Sequence, residues 1–310
     1  MVDVSCILLN YNTAQLSIEA VQSIQQFTDE KVSYEIVLVD NASHWEDYKK
    51  LEQFVKNLGD DRVSIHRNRI NTGFGAGNMM GVIHSSPCQY YAFINSDVLF
   101  LQENTLYDLK VFMDANNEAG ICSPQMLGPD KSFRSTLDHF ASPARQFLNR
   151  GFLEKWNSKR YPDRKKTYDV PLQSDYVQGS FMFVDAPSFN KVGGFDERLF
   201  LYYEESDLSK RILDRTGKKT YLFPSQEYIH LQGKSTTKNI KIKMEQKISL
   251  LYYIHKHHGV VWHRSLLFYY TIKYLFSSIV KPKHWPLFKL LLNGAPTSKS
   301  LAHKQIVLDR

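Results

Sequence analysis

The stretch Val4-Ser5-Cys6-Ile7-Leu8-Leu9-Asn10-Tyr11-Asn12 decides the fold. A short apolar run that stops abruptly on a polar cluster reads as a buried strand delivering polar groups to its carboxyl end. The pattern recurs at Ile36–Val39 before Asp40-Asn41, and at Tyr90–Ile94 before Asn95-Ser96-Asp97. Between these runs the period changes. Leu16, Ala20, Ile24 and Phe27 recur at helical spacing, as do Tyr48, Leu51, Phe54, Val55 and Leu58. The second helix is preceded by Ser43-His44-Trp45-Glu46, which has the S-x-x-E form of a capping box. Val63–His66 reads as a further strand, Gly77–Ser86 and Asn104–Ala115 as helices, and Ile121–Leu127 as extended. This alternation predicts an α/β fold, a mostly parallel sheet with helices on both faces. In such sheets ligands sit beyond the carboxyl ends of the strands, where three polar clusters converge here.

Residues 128–175 lose periodicity and read as a long excursion with a short helix at Pro143–Leu153. Order returns at Tyr176–Val184, in a helix at Glu204–Thr216 closed by Gly217, and in a strand at Lys219–Phe223. Beyond that the character changes. Ile240, Met244, Ile248, Leu251 and Ile254 fit one helical face, and His263–Val280 is aromatic and aliphatic. Two units are expected: an α/β domain over 1–235 and a helical extension over 236–310. The longest apolar stretch, Ser265–Val280, contains Lys273 and falls short of the ~20 residues a membrane-spanning helix needs.

The 310 residues carry 39 Lys+Arg against 32 Asp+Glu, a formal net charge of +7, with 43% hydrophobic residues. That composition excludes a disordered chain and favours anionic partners without choosing among them. Cys6, Cys88 and Cys122 have no C-x-x-C spacing, which argues against a disulfide framework and a zinc site. The opening residues have no basic region ahead of an apolar core, so a cytoplasmic location is expected. No nucleic-acid motif accompanies the basic charge, and nucleic acid is not an expected partner.

Four elements carry chemistry. Asp97, at a strand's carboxyl end, suits a hard divalent cation; the alternative is an Asx turn capping the strand. Glu204, Glu205 and Asp207 follow the aromatic turn Leu201-Tyr202-Tyr203; they suit a general base, or helix-dipole stabilisation alone. His230 follows a strand, with Gly233 and Lys234 behind it, and suits a metal ligand near a phosphate. Asn71-Thr72-Gly73-Phe74-Gly75-Ala76-Gly77-Asn78 has G-x-G-x-G spacing, not the dinucleotide fingerprint, so close backbone approach to a sugar nucleotide is expected of its glycines.

In order along the chain, these elements resemble the family 2 inverting glycosyltransferases of GT-A fold, with greatest similarity to the rhamnosyltransferase-like branch. The motifs that carry the resemblance are Leu8–Asn12, Val37–Ser43, Asn71–Asn78, Asn95–Asp97, Gly193–Glu197 and Tyr203–Leu208. The resemblance implies that Asn10 and Tyr11 line a nucleotide pocket and that Asp40 and Asn41 contact base and ribose. It implies that Asn71, Gly73 and Asn95 approach the donor, that Lys234 helps hold the diphosphate, and that Asp97 and His230 hold Mg²⁺ or Mn²⁺. Glu205 stands where the family has its catalytic Asp, and Glu204 and Asp207 remain alternatives. Asn95 replaces the first acid of the DxD-type motif, and Ser96 the branch's middle proline. The implied reaction moves a sugar, rhamnose or another hexose, from a dTDP- or UDP-linked donor to a glycan or lipid-linked acceptor in cell-surface polysaccharide synthesis. The other functional class is a non-catalytic sugar- or nucleotide-binding module on the same fold. The basic, aromatic C-terminal helices suit the inner membrane surface, or packing on the catalytic domain or a second subunit.

Overall fold

The structure is a computed structural model and describes residues 1–231 and 239–309. In chain order, β1 (Val2–Asn10), α1 (Ala14–Gln26), β2 (Tyr34–Asn41), α2 (Trp45–Leu58), β3 (Val63–Asn68), α3 (Gly73–His84) and β4 (Cys88–Asn95) form an alternating unit. They are followed by β5 (Val98–Phe100), α4 (Thr105–Ala115), β6 (Ala119–Leu127), β7 (Leu137–Asp138), α5 (Pro143–Leu148) and α6 (Arg150–Trp156). Then come β8 (Leu172–Ser174), β9 (Tyr176–Val177), β10 (Phe181–Asp185), α7 (Ala186–Val192), α8 (Glu204–Thr216) and β11 (Lys219–His230). The chain closes with α9 (Ile240–Val280) and α10 (Trp285–Leu292).

The main sheet runs β3-β2-β1-β4-β10-β6-β11-β5, with β8 on β11. The first four strands are parallel, as is β6 with β11, while β10, β5 and β8 run against their neighbours. Side-chain alternation splits the sheet between two cores. Val4, Cys6, Leu8, Ile36, Leu38 and Ala92 face the layer of α1, α2 and α4. Ile7, Val37, Val39 and Phe93 face the layer that includes α7 and α8. Period-two alternation on strands buried on both faces therefore produces two cores from one continuous apolar run.

Several expectations are revised. The helix read from Gly77 starts at Gly73, so the glycine-rich segment is its first turn. A Cβ on Gly81 would collide with the Ile7 side chain, and one on Gly77 would press on Leu9. Those two glycines therefore bring α3 close against β1 and do not approach a ligand. Ser43 does not cap α2, whose N-cap His44 has no side-chain cap bond; the Ser43 hydroxyl is committed elsewhere, as below. The single helix expected over Pro143–Leu153 is two, broken at Asn149, where φ is 65°. β11 extends seven residues past Phe223 to His230 through an irregularity near Pro224.

The C-terminal helices have their own core of Ile248, Leu251, Ile254, Leu266, Leu287 and Leu291. α9 breaks at Gly259, where φ is 84°. Its first half grips the segment that leads into α8. Tyr252 and Lys256 both reach Asp196 at 2.7 Å, and Ser249 donates to the Leu201 carbonyl at 2.8 Å. The tail then returns across the sheet edge. Glu245, buried, accepts from the Ser300 hydroxyl and the Leu301 amide at 2.7 Å each, and the Leu308 amide donates to the Arg69 carbonyl at 2.7 Å. Among the described residues no helix is long and apolar enough to cross a membrane.

Candidate active site

Parallel strands that end side by side leave backbone and side-chain polar groups under a loop layer, and buried polar groups must be paired. Two asparagines do this. Asn10, fully buried, donates through its amide to Asp40, Ser43 and Asp47 at 2.9, 3.1 and 3.0 Å. Its carbonyl oxygen accepts from Thr13 and Ser17 at 3.1 and 2.9 Å. Asn41 donates to Asn71 Oδ1 and the Gly73 carbonyl, both at 3.0 Å, and accepts from Asn68, the Thr72 amide and the Thr72 hydroxyl. One amide thus fixes the loop after β1, the other the turn into α3. Gly73 sits at φ +82° with its Cβ direction blocked by the Phe200 carbonyl, so no side chain fits. Burial pushes the Asp40 carboxyl above its ordinary range, against the lowering bonds from Ser43 and Asn10.

Above this scaffold lies a cavity of about 340 Å³ lined by Tyr11, Asn41, Asn71, Gly73, Asn95 and Asp97 among others. Phe74, Phe200 and Leu201 form its apolar wall, and Ile242, Leu301 and Gln305 close it from the C-terminal side. Asp97 owes its place to topology. β5 starts one residue after it and pairs antiparallel with the end of β11, with Val98 opposite His230. Asp97 Oδ1 and His230 Nε2 consequently stand 3.1 Å apart, both poorly exposed. The other ring nitrogen, His230 Nδ1, is buried without a hydrogen-bond partner. A carboxylate oxygen facing an imidazole nitrogen is a donor pair suited to Mg²⁺ or Mn²⁺, which keep several positions for water and phosphate oxygens. Among the described residues no group of three or more potential ligands gathers, and those residues offer two here.

A second cavity of about 210 Å³ adjoins the first, sharing Phe74, Asn95 and Leu201, and holds His230, Glu204 and Glu205 on its wall. The acids are presented by the first turn of α8. Tyr202 and Tyr203 before them have φ of 76° and 74°, a left-handed pair that non-glycine residues rarely adopt. Burial raises the Glu205 carboxyl to about 7. Burial and then the neighbouring Glu205 push Glu204 well above its ordinary range, and its Oε1 has no partner. Asp207 is the opposite case. Burial alone would raise it, but His257, Arg211 and Lys256, at 2.6–2.7 Å, hold it down to about 2. It is a permanent anchor between α8 and α9.

Residues 5–187 match the model of glycosyl transferase family 2. The chain belongs to that family. It is 30% identical over 114 residues to an N-acetylglucosaminyl-diphospho-decaprenol L-rhamnosyltransferase of Mycobacterium tuberculosis, a match covering 36% of each chain. It is 24% identical over 234 residues to an inactive polypeptide N-acetylgalactosaminyltransferase-like protein 5 of Macaca fascicularis, covering 72% of this chain and 49% of that one. The chain thus spans half or less of the length of these two curated relatives. Among solved structures, GalNAc-T7 with UDP, GalNAc and Mn²⁺ superposes with a TM-score of 0.61 at 17% identity, over 95% of this chain and 55% of that one. The Pyrobaculum calidifontis mannosyltransferase PcManGT, with GDP-Man and Mn²⁺, gives 0.57 at 14% identity over 96% and 89%. These two likenesses show a shared GT-A fold.

In this family-2 chain, Tyr11, Asn41, Asn71, Gly73, Asn95 and Asp97 share the first cavity, and Asn95, Glu204, Glu205 and His230 the second. Asn10 and Asp40 lie beneath, fully buried, and line neither. Lys234 lies outside the described residues. Sequence reasoning missed Thr13, Phe74, Phe200 and Leu201, and above all Ile242, Leu301 and Gln305. Phe200 and Leu201 sit in the aromatic turn that precedes the acids, which was a usable signal; Gln305 had none.

The Asn10→Ala variant is expected to lose about 3 kcal/mol of stability in urea unfolding, because Asp40, Asp47, Thr13 and Ser17 lose a shared buried partner. A loss below about 1 kcal/mol would show that water can replace it.

Proposed function

We propose that this protein is a metal-dependent, inverting glycosyltransferase that moves a hexosyl group, such as rhamnose, from a nucleoside diphosphate to a lipid-linked glycan. The carrying observation is the pair of adjoining cavities that meet at Asn95: Asp97 lines the first, Glu205 and His230 line the second, and His230 stands 3.1 Å from Asp97. Tyr11, two-fifths exposed on the rim, offers a face for the base, and Asn71 and Gly73 line the floor. Asp97 and His230 would hold Mg²⁺ or Mn²⁺. When bound, the cation neutralises the charge developing on the diphosphate leaving group.

Glu205 is assigned as the base. It faces the second cavity and also a third one beyond it, whereas Glu204 lines only the second. Glu205 takes the proton of the acceptor hydroxyl, whose oxygen attacks the anomeric carbon from the face opposite the diphosphate. The name of the mycobacterial relative, whose acceptor is a sugar on a lipid diphosphate, supports a lipid-linked acceptor. So does the outer face of the second half of α9. Val261, Phe268, Ile272, Phe276 and Ile279 are exposed there at three- to seven-residue intervals, flanked by Arg264, Lys273, Lys281 and Lys283. From Gln246 to Leu308 there is no Asp or Glu. An apolar stripe in an acid-free, basic segment suits an anionic lipid surface.

Three measurements test this reading. Thermal unfolding over a panel of nucleotide sugars should show stabilisation by one nucleotide class that requires Mn²⁺ and is lost in Asp97→Ala; stabilisation by none removes the transferase. Because the Glu205 carboxyl is raised, it holds its proton below about 7 and is a base only above it. The rate should therefore rise with pH through about 7 and level off, and Glu205→Gln should lower kcat by roughly 10²–10⁴. Turnover untouched by that substitution would favour a different base, and nucleotide binding with no turnover at all a binding module. Finally, the protein should sediment with vesicles containing phosphatidylglycerol, in a salt-sensitive manner, and not with phosphatidylcholine alone; equal partition to both would contradict the electrostatic part.

A further inference from the structure

Beyond Glu205 lies a third cavity of about 290 Å³, which shares Gln178, Tyr202 and Glu205 with the second. Its remaining wall is Asp138, Arg145, Arg150, Tyr176, Tyr203 and Gln246. The excursion between β6 and β8, which carried no readable period, builds the charged half of this wall. Asp138 comes from β7, Arg145 from α5 and Arg150 from α6.

The charges there do not balance as a simple ion pair. A single oxygen, Asp138 Oδ2, receives Arg150 at 2.9 Å, Arg145 at 3.3 Å and Arg164 at 3.6 Å. Arg164 also meets Glu154 at 3.3 Å, and Arg145 donates to the His139 carbonyl. Among the described residues Arg150 has Asp138 as its one ion-pair partner, and its side chain is 41% exposed. Of the three, Arg145 and Arg150 line the cavity, and the guanidinium of Arg150, whose five N–H groups meet only the single oxygen Asp138 Oδ2 among the described residues, can still donate to an incoming anion. A guanidinium fork is suited to phosphate oxygens.

The surroundings say what kind of phosphate would arrive. α5 and α6 expose Phe147, Leu148, Phe152 and Trp156. α5 is docked on the second half of α9, through the Phe147 and Tyr269 rings at 5.2 Å and the Tyr270 hydroxyl on Gln146 at 2.8 Å. The cationic mouth is thus carried by the same helices that extend the apolar face. Tyr202, Tyr203 and Tyr176 give the interior aromatic walls of the kind sugars pack against.

We infer that this third cavity is the acceptor subsite, holding the sugar of a lipid-phosphate-linked acceptor against Glu205 and its phosphate against Arg150 and Arg145. The assignment rests on the transferase reading above and deepens it by naming where the acceptor's charge is read. Phosphate and lipid are recognised together: the anion by the arginines, the chain by the apolar side chains beside them.

The test is calorimetric, on the full chain in EDTA, with farnesyl diphosphate as probe and inorganic pyrophosphate and farnesol as its separate halves. Farnesyl diphosphate should bind at least tenfold more tightly than either half and should not be displaced by UDP. Arg150→Gln should weaken it about tenfold, the loss of one charge-assisted contact, while Arg150→Lys should retain part of it. Undiminished binding to Arg150→Gln, or displacement by UDP, would overturn the site. Pyrophosphate binding as tightly as farnesyl diphosphate would overturn the lipid-linked assignment. Nucleotide stabilisation with Mn²⁺ but no farnesyl diphosphate binding would overturn this inference alone; the absence of both would remove the transferase reading with it.

Discussion

The antiparallel pairing of β5 with β11 carries His230 from late in the chain onto Asp97, one residue ahead of β5. Most of the sheet is parallel within its first half, and a parallel strand alone would deliver its side chains to the edge in isolation. Reversing direction at β5 lets two strand termini meet. A carboxylate and an imidazole then come within 3.1 Å. The arrangement of the cavities follows. Asn95 and Asp97 line the first cavity, the acids of α8 line the second, and the turn at Tyr202-Tyr203 presents those acids.

That turn is held by force from several directions. Two consecutive left-handed tyrosines cost backbone energy, and such strain persists only where surrounding contacts overdetermine it. Asp207 supplies one such contact set, clamped by Arg211 within its own helix and by Lys256 and His257 from α9. Ser249 on the Leu201 carbonyl supplies another. The C-terminal extension therefore helps shape both cavities: it braces the acids of α8 from behind and, through Ile242, Leu301 and Gln305, lines the first cavity.

The parallel half of the sheet was legible because its signals are local. Apolar runs ending on Asn10, Asp40 and Asn95 identified β1, β2 and β4, and helix periodicity identified the layers between them. The adjacency of Asp97 and His230 was legible only by resemblance, since no local pattern links positions so far apart in sequence. Asn10 and Asp40 read as pocket residues by resemblance; here the ends of β1 and β2 turn them inward, where Asn10 donates to Asp40, Ser43 and Asp47. The glycines of α3 read as a ligand loop because backbone approach to Ile7 and Leu9 cannot be seen without the sheet. Arg145, Arg150 and Arg164 of the excursion showed no period because they converge on a single carboxylate, Asp138.

The central claim is that one divalent cation is held between Asp97 and His230 while it touches the diphosphate. Pulsed electron paramagnetic resonance of the protein with Mn²⁺ and a nucleoside diphosphate tests it directly. The account predicts a nitrogen hyperfine coupling from His230, absent in His230→Gln, together with phosphorus coupling from the diphosphate. Phosphorus coupling without nitrogen coupling would contradict it, placing the ion on the nucleotide alone and leaving His230 outside the metal site.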